Sequence, residues 1–170
     1  MRRVVILGNS GSGKSRLARA LGARLGLPVV HLDPLYYGPD WTHGDAEAFR
    51  RRVREALAGE AWIVDGAFLA LVGDLTLPRA ELVVWLQQPR WLALSRALGR
   101  CLDPSAVGRA DLPVGCRDTP SREMLADIWT YETHARPDME RRLAELAPSV
   151  ALRRLKGDRA ISAFMAEIAP

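Results

Sequence analysis

The stretch GNSGSGKS at residues 8–15 directly follows the apolar run VVIL at residues 4–7. Glycines lose more backbone entropy on folding than other residues, and they bury no side chain in return. A segment of this composition needs a compensating interaction, and a bound phosphate group provides one. The residues fit the pattern G-x-x-x-x-G-K-S/T, in which backbone N–H groups, a lysine and a hydroxyl hold phosphates. We therefore predict a phosphate site at residues 8–15, called the phosphate loop below.

Each part of the phosphate loop has a physical role. Gly8, Gly11 and Gly13 allow a tight turn that points successive N–H groups at one anion, and the helix that starts near Gly13 adds the positive end of its dipole. Lys14 is placed to reach the β- and γ-phosphates, and the Ser15 hydroxyl is placed to ligate Mg²⁺. The predicted nucleotide-binding residues of the loop are Gly8, Asn9, Ser10, Gly11, Ser12, Gly13, Lys14 and Ser15.

The sequence around the loop has the order that a phosphate site requires. The run at residues 4–7 predicts a strand, and Leu17, Leu21 and Leu25 recur at helical spacing after the loop. Only two of the 24 basic residues are lysines, so a compact cation stands at position 14 in a chain that otherwise favours arginine. The alternative is a glycine- and serine-rich turn between strand and helix that binds no ligand.

The bulk composition is that of one globular domain spanning residues 1–170. Of these residues 48% are hydrophobic and 26% are charged, which is enough to bury a core. The sequence shows no apolar run of membrane-spanning length and no signal-peptide pattern, so we expect a cytoplasmic protein. Cys101 and Cys116 are too isolated for a zinc site, and we expect reduced thiols. The net charge of +4 suits an anionic ligand without distinguishing a nucleotide from a nucleic acid.

Short apolar segments alternate with helical patterns along the chain. The candidate strands are residues 3–7, 28–32, 61–65, 81–86 and 150–155, and the candidate helices are residues 45–58, 89–102, 120–134, a segment after Pro137 to about 147, and 158–168. In the candidate helix at residues 89–102, the helical spacing is shown by Trp91, Leu94, Leu98 and Leu102. We expect Asp158 to cap the helix at residues 158–168. We predict an α/β fold of the P-loop NTPase class, with a doubly wound, five-stranded parallel sheet, helices on both faces and the ligand at the carboxyl ends of the strands.

Two stretches do not fit this alternation. Residues 34–44 (PLYYGPDWTHG) have a loop composition but contain three aromatic residues, and residues 103–119 are rich in Gly, Pro and Asp. Long loops within a compact domain are usually functional or disordered. We interpret the first as part of an acceptor-side flap at about residues 34–60, and the second as a mobile lid over the nucleotide. The candidates to line an acceptor pocket are Tyr36, Tyr37, Trp41 and Trp129, although core packing explains Trp129 equally well.

Several short sequence motifs occur in the same order as in one known family. The phosphate loop is followed by HLD at residues 31–33, DG at residues 65–66, PRW at residues 89–91 and GC at residues 115–116. Through these motifs, nearly the whole chain resembles the adenylate-kinase-related proteins often labelled topology modulation proteins. The resemblance implies a P-loop kinase fold with a five-stranded parallel core and a mobile lid. The label about DNA topology implies no chemistry by itself.

The resemblance also implies roles for individual residues. Arg96 and Arg100 match two arginines, one helical turn apart, that face the adenine and the transferring phosphate in adenylate kinases. Asp65 matches the aspartate that holds Mg²⁺ through water, and Lys156-Gly157 match a loop whose backbone meets adenine. The basic residues at the two sides of the candidate lid, with predicted roles in phosphoryl transfer, are Arg100, Arg117 and Arg122.

The chain departs from the adenylate kinase pattern after residues 65–66. Adenylate kinases continue with Phe-Pro-Arg, whose arginine grips the acceptor monophosphate, whereas this chain continues Ala-Phe-Leu at residues 67–69. Arg50 or Arg54, on the helix after the aromatic stretch, is the available substitute. The departure argues against AMP as the acceptor and leaves ATP as the donor.

Asp33 is the predicted catalytic base. It ends a strand expected beside that of the phosphate loop, where a carboxylate can orient or deprotonate an acceptor hydroxyl in line with the γ-phosphate. The alternative is an N-cap or turn aspartate before Pro34. For His31 a structural role and a substrate contact are both open. The predicted catalytic residues are Lys14, Asp33, Arg100, Arg117 and Arg122, and the predicted metal ligands are Ser15 and Asp65.

These features predict a small ATP-dependent phosphotransferase with ATP and Mg²⁺ as ligands. MgATP is expected on the phosphate loop, with lid arginines on its phosphates and a small acceptor beside the aromatic residues. One alternative is a nucleic-acid-binding regulator switched by the nucleotide, which rests on the arginine excess alone. Another is a plain NTPase, but no glutamate follows Asp65 to activate water.

Overall fold

A sheet of five parallel strands forms the centre of the computed structural model, which describes residues 1–103, 111–113, 116–117 and 119–168. The strand order is β2-β3-β1-β4-β5. The strands are β1 (Arg3–Gly8), β2 (Val29–His31), β3 (Trp62–Asp65), β4 (Leu82–Gln87) and β5 (Ala151–Lys156). Each neighbouring pair is parallel, so the predicted five-stranded parallel sheet is confirmed.

Helices connect the strands. They are α1 (Lys14–Leu25), α2 (Asp33–Tyr36), α3 (Ala46–Ala56), α4 (Leu69–Thr76), α5 (Arg90–Leu102), α6 (Arg122–Thr130), α7 (Ala135–Leu146) and α8 (Gly157–Glu167), with 3-10 turns at Pro39–Trp41 and Leu77–Arg79. The predicted helices are confirmed, but α6 ends at Thr130, and Pro137 lies in the first turn of α7 rather than at the break. The described ranges contain no helix with the length and apolar character needed to cross a membrane.

The strand register brings the candidate residues to one edge of the sheet. Asp65 at the end of β3 lies opposite Ile6 of β1 on one side and opposite His31 of β2 on the other. Gly8, where the phosphate loop begins, lies opposite Leu86 near the end of β4. Because all strands run in one direction, the phosphate loop, Asp65 and the residues after β2 emerge together at the carboxyl edge.

Both faces of the sheet are buried under helices. On one face, Val5 and Leu7 of β1 pack with residues of α3, α4 and α7. On the other face, Val4 and Ile6 pack with residues of α1 and α8. The four side chains are at most 2% exposed, which explains why the strand is continuously apolar rather than alternating.

Helix α5 packs mainly through its small residues. Ala93 and Ala97 are fully buried, whereas Trp91 is 65% exposed and Leu102 is 82% exposed. A Cβ placed on Gly11 would lie 2.1 Å from the carbonyl oxygen of Ala93, so the backbone of α5 approaches the phosphate loop very closely. Only small side chains fit such an approach. Of the large apolar residues that identified this helix, Leu94 packs partly buried against the two alanines, whereas Trp91, Leu98 and Leu102 are exposed.

We expect Gly11→Ala to destabilise the fold more than Gly26→Ala does. Both glycines have left-handed φ angles, +74° at Gly11 and +64° at Gly26, but a Cβ at Gly26 would meet no atom within 4 Å. Gly26→Ala should lower the free energy of unfolding by about 1 kcal/mol through backbone strain alone. Gly11→Ala should lower it by about 3 kcal/mol or more, because it adds a clash with α5. Urea unfolding measures both, and equal losses would contradict the close contact between loop and α5.

Much of the predicted lid lies outside the described residues, namely residues 104–110, 114–115 and 118. In the described part, residues 111–113 and Cys116 are buried. At these positions the segment predicted as a mobile lid therefore packs against the rest of the protein. Two contacts hold them to the body of the protein: Arg19 of α1 forms an ion pair with Asp111 at 2.9 Å, and the Cys116 thiol donates to the carbonyl of Gly38 at 3.5 Å.

Candidate functional site

The phosphate loop joins β1 to α1 with its glycines in conformations that other residues rarely adopt. The φ angles of Gly8, Gly11 and Gly13 are +149°, +74° and +96°. Gly13 precedes α1, and among the described residues no side chain caps this helix and no acidic residue lies in its first turn. The N–H groups at the start of α1 are therefore open to an anion.

Two polar side chains of the loop have unexpected surroundings. The Asn9 amide donates to the carbonyl of Ile128 at 2.9 Å, so this side chain anchors the loop to α6 and leaves only its backbone for a nucleotide. The Ser12 hydroxyl is fully buried and has no hydrogen-bond partner in the described part of the chain. Such an orphaned hydroxyl costs about 1–3 kcal/mol. An oxyanion held in the loop would supply a partner, so the loop fits a phosphate better than it fits an empty turn.

Lys14 is the first residue of α1 and folds back over the phosphate loop. Its ammonium group donates to the carbonyl of Asn9 at 3.0 Å. Burial lowers the pKa of Lys14, the nearby carboxylates of Asp33 and Asp65 oppose that shift, and Arg100 adds to it. The structure therefore brings together four residues that were predicted from separate stretches of the sequence.

Asp33 faces Lys14 from the start of α2. Strand β2 ends at His31 and the N-cap of α2 is Leu32, so the expectation that Asp33 ends the strand is wrong by two residues, and the N-cap alternative is wrong as well. Its carboxyl group has no hydrogen-bond or ion-pair partner among the described residues. Burial raises the pKa of Asp33 to about 6, with Lys14 opposing the shift and the carboxylates of Asp65 and Asp111 adding to it. A partly buried carboxyl beside a phosphate loop, with no partner in the described ranges, is suited to accept a proton.

Asp65 ends β3 and pairs with His31. The Nδ1–H group of His31 donates to Oδ1 of Asp65 at 2.5 Å, and the side chains are 10% and 3% exposed. His31 therefore orients Asp65, which is a structural role. A contact between His31 and a substrate stays a prediction. Oδ2 of Asp65 and the hydroxyl of Ser15, the second residue of α1, have no protein partner within the described ranges. Oxygen donors of these types suit Mg²⁺, so the two residues fit the predicted metal.

The candidate arginines have different surroundings. Arg100 lies within electrostatic range of Lys14. Arg96 instead pairs with Asp158, which also accepts a hydrogen bond from the amide of Gln88 at 3.0 Å. Asp158 therefore does not cap α8, whose N-cap is Lys156, and this prediction is wrong. Lys156 and Gly157 lie at the junction of β5 and α8, at the same edge of the sheet as the phosphate loop.

Arg117 and Arg122 remain predictions without support from the geometry. Both side chains are exposed, and among the described residues neither appears as a charge acting on Lys14 or Asp33. The carbonyl of Arg117, by contrast, accepts a hydrogen bond of 2.8 Å from the Trp41 indole. That bond joins the aromatic stretch at residues 34–44 to the segment before α6.

The aromatic residues of the flap form one cluster beside Asp33. Tyr36 packs against Tyr37, His43, Phe49 and Phe68, with ring centroids 4.9–5.8 Å apart. Trp129 does not belong to this cluster. It is 50% exposed, and the Arg90 guanidinium lies 4.3 Å from its ring centroid, so the alternative that Trp129 packs in the core is wrong.

Sequence reasoning missed several long-range contacts that shape the site. They are Asn9–Ile128, Arg19–Asp111, His31–Asp65 and the group formed by Gln88, Arg96 and Asp158. Only the His31–Asp65 pair had a usable signal, because both residues close neighbouring strands of a parallel sheet. No protein-family model and no curated protein matches this chain. The assignment of function therefore depends on the geometry of the site.

Proposed function

We propose that this protein has a P-loop NTPase fold and transfers the γ-phosphoryl group of MgATP to a hydroxyl group of a small acceptor. The observation that carries the proposal is the Asp33 carboxyl, which has no partner among the described residues and lies within electrostatic range of Lys14. A loop that merely held a nucleotide would need Lys14 but would not need a partly buried carboxylate near it. Phosphoryl transfer to a hydroxyl needs both.

In this proposal the loop and its cations bind the phosphates. The N–H groups at the start of α1 and the Lys14 ammonium contact the β- and γ-phosphates, and Arg100 adds positive charge as the γ-phosphoryl group leaves ADP. Ser15 and Asp65 hold Mg²⁺, which when bound neutralises phosphate charge. These groups are placed before the reaction begins, so they stabilise the transition state without reorganisation.

Asp33 supplies the base. The acceptor oxygen forms a bond to the γ-phosphorus, the bond from phosphorus to the β–γ bridging oxygen breaks, and the hydroxyl proton passes to the Asp33 carboxylate. With a pKa of about 6, this carboxyl is ionised at pH 7.5 and is a better proton acceptor than an ordinary aspartate. The rate should therefore rise with pH and level off above about pH 7.

A binding and a turnover measurement together test the function. Calorimetry should detect MgATP binding, and γ-labelled ATP should label a small hydroxyl compound in a panel of alcohols, sugars and nucleoside monophosphates. ADP should appear in equal amount to the phosphorylated product. Failure to bind MgATP would reject the proposal, and release of inorganic phosphate alone would favour a plain NTPase.

We expect Arg100→Ala to lower the rate of transfer by roughly 10²-fold, the usual effect of removing one charge contact to a transition state. ATP affinity should change much less, because charge on the γ-oxygens is redistributed only during transfer. Arg100→Lys should restore little activity, since lysine lacks the planar, bidentate guanidinium. Steady-state kinetics separate the two effects. A normal rate in Arg100→Ala would place Arg100 outside the transfer step.

A further inference from the structure

A carboxylate at the start of α8 is held from two sides at the carboxyl edge of the sheet. Asp158 is the second residue of α8. Its Oδ1 accepts a hydrogen bond of 3.0 Å from the Gln88 amide, and its Oδ2 pairs with Arg96 of α5. Gln88 directly follows β4 and is 5% exposed. Groups at the end of β4 and on α5 therefore fix the direction of this carboxylate.

The Gln88 amide has only one favourable orientation against Asp158. An ionised carboxylate only accepts hydrogen bonds, so the NH2 group of the amide faces Asp158 and the amide oxygen faces away. This oxygen, Oε1, is buried and has no hydrogen-bond partner in the described part of the chain. A reversed amide would bring two oxygens together and lose the bond. Gln88 is therefore a rigid support for Asp158 and is not itself open to a ligand.

Asp158, by contrast, is accessible to a ligand. Its side chain is 61% exposed, and a carboxylate offers about four acceptor positions, of which Gln88 and Arg96 occupy two. A Cβ placed on the neighbouring Gly157 would meet no atom of the described residues within 4 Å, so the space beside that backbone is open. The flanking cations Lys156 and Arg159 are exposed, and within the described ranges neither forms an ion pair with Asp158. A rigid acceptor thus stands beside open space.

The strand order puts this acceptor on the nucleoside side of the phosphate loop. In the proposed function the γ-phosphate faces Asp33 and Asp65, which follow β2 and β3 on one side of β1. That arrangement leaves the other side, at the ends of β4 and β5, for the ribose and the base. Neighbouring strands are about 5 Å apart, so the start of α8, directly after β5, is displaced by about 10 Å from the phosphate loop. Asp158 is therefore placed to meet the base.

We propose that Asp158 selects adenine as the base of the phosphoryl donor by accepting a hydrogen bond from its 6-amino group, and that Gln88 is the positioning residue that orients Asp158. This inference rests on the proposed phosphotransferase function. Guanine and hypoxanthine carry a carbonyl oxygen where adenine carries the amino group, so either base would place two acceptors against each other. Arg96 balances the charge of the carboxylate when the base covers it.

A series of donor nucleotides tests the base preference on the unmodified protein. Calorimetry compares the magnesium complexes of ATP, of purine riboside triphosphate, which lacks the amino group, and of ITP and GTP, which carry the carbonyl. ATP should bind at least about tenfold more tightly than each of the others, the value of one hydrogen bond to a charged group. Equal affinities, or tighter binding of ITP or GTP, overturn the inference. No binding of any of the four nucleotides would instead reject the proposed function itself.

Asp158→Asn tests the acceptor group. An amide both donates and accepts, so it can bond to the amino group of adenine or to the carbonyl of hypoxanthine. We expect the preference for ATP over ITP to fall from at least about tenfold to about twofold or less. The matched control is Asp74→Asn, which also breaks an ion pair between an aspartate and an arginine, here Arg50. A wild-type preference in Asp158→Asn, or an equal loss in the control, overturns the inference.

Gln88→Leu tests the positioning role. Leucine occupies similar space in this buried position but donates no hydrogen bond, so Asp158 is released on one side. The preference for ATP over ITP should fall by about threefold or more, the value of one ordinary hydrogen bond. A purely structural role would change the urea midpoint of unfolding and leave the nucleotide preference as it is in the wild type. That outcome would overturn the positioning role of Gln88.

Discussion

Lys14→Ala should weaken MgATP binding by about 10- to 100-fold, the loss expected for one hydrogen bond between charged groups. Phosphoryl transfer should fall further, by roughly 10²-fold or more, because the ammonium also stabilises charge that develops during transfer. The ammonium is already held over the loop by the carbonyl of Asn9. Binding phosphate therefore requires only a short movement of a partly buried cation whose surroundings include two carboxylates, Asp33 and Asp65.

Calorimetry with MgATP and a transfer assay measure the two losses. Arg24→Ala is the control, because it removes one positive charge from the far end of the same helix, where the side chain donates to the carbonyl of Ile168. Circular dichroism and urea unfolding establish that both variants are folded. Unchanged affinity and transfer in a folded Lys14→Ala protein would reject the phosphate loop as the nucleotide site.

The parallel sheet could be predicted because burial on both faces leaves a strong signal in the sequence. A strand covered by helices on both sides is apolar at every position, as residues 4–7 are, and only short segments of this kind alternated with helical patterns. Strand β5 gave a weaker signal. It lies at the edge of the sheet, where Arg153 and Arg154 are exposed and protect an unpaired edge.

The helices show what periodicity alone does not reveal. Helix α4 was not predicted, although its buried residues Leu69, Val72 and Thr76 do recur at helical spacing. Apart from Asp74 its other positions are also apolar or small, so no continuous polar face contrasted with the buried one. In α5 the fully buried side chains are those of Ala93 and Ala97, because the close approach of the phosphate loop requires small residues there. That requirement comes from the tertiary structure and is invisible in the helix itself.

The part of the candidate site that could be predicted is the part that lies at the carboxyl ends of the strands. Lys14, Asp33 and Asp65 follow three neighbouring strands, and parallel strands place such residues at one edge. The pairing of Arg96 with Asp158 was not predictable, because the two residues are 62 positions apart and belong to helices whose relative rotation depends on core packing. For the same reason the sequence left Arg50 open as an acceptor ligand, although Asp74 of the unpredicted α4 binds it.

Asp33→Asn should abolish most transfer and at the same time stabilise the protein. Asparagine has the shape of aspartate but accepts no proton, so the rate should fall by about 10²- to 10⁴-fold with MgATP affinity nearly unchanged. The pKa of Asp33 rises from 3.8 in the unfolded chain to about 6 in the fold. The contribution of a carboxyl with a raised pKa is fully present below about pH 4 and is lost as the pH rises through 6.

Above pH 7 the wild-type protein therefore holds a partly desolvated carboxylate that the variant lacks, and Asp33→Asn should be more stable by roughly 1–3 kcal/mol. Near pH 4 aspartate is protonated in the fold and the difference should disappear. Urea unfolding at pH 8 and pH 4, together with transfer kinetics at pH 8, separates the two effects. A turn residue replaced by asparagine would change neither the rate nor the pH dependence of stability. A wild-type rate would therefore remove Asp33 from the mechanism, and an equal stability difference at both pH values would show that its carboxyl is not buried as a charge.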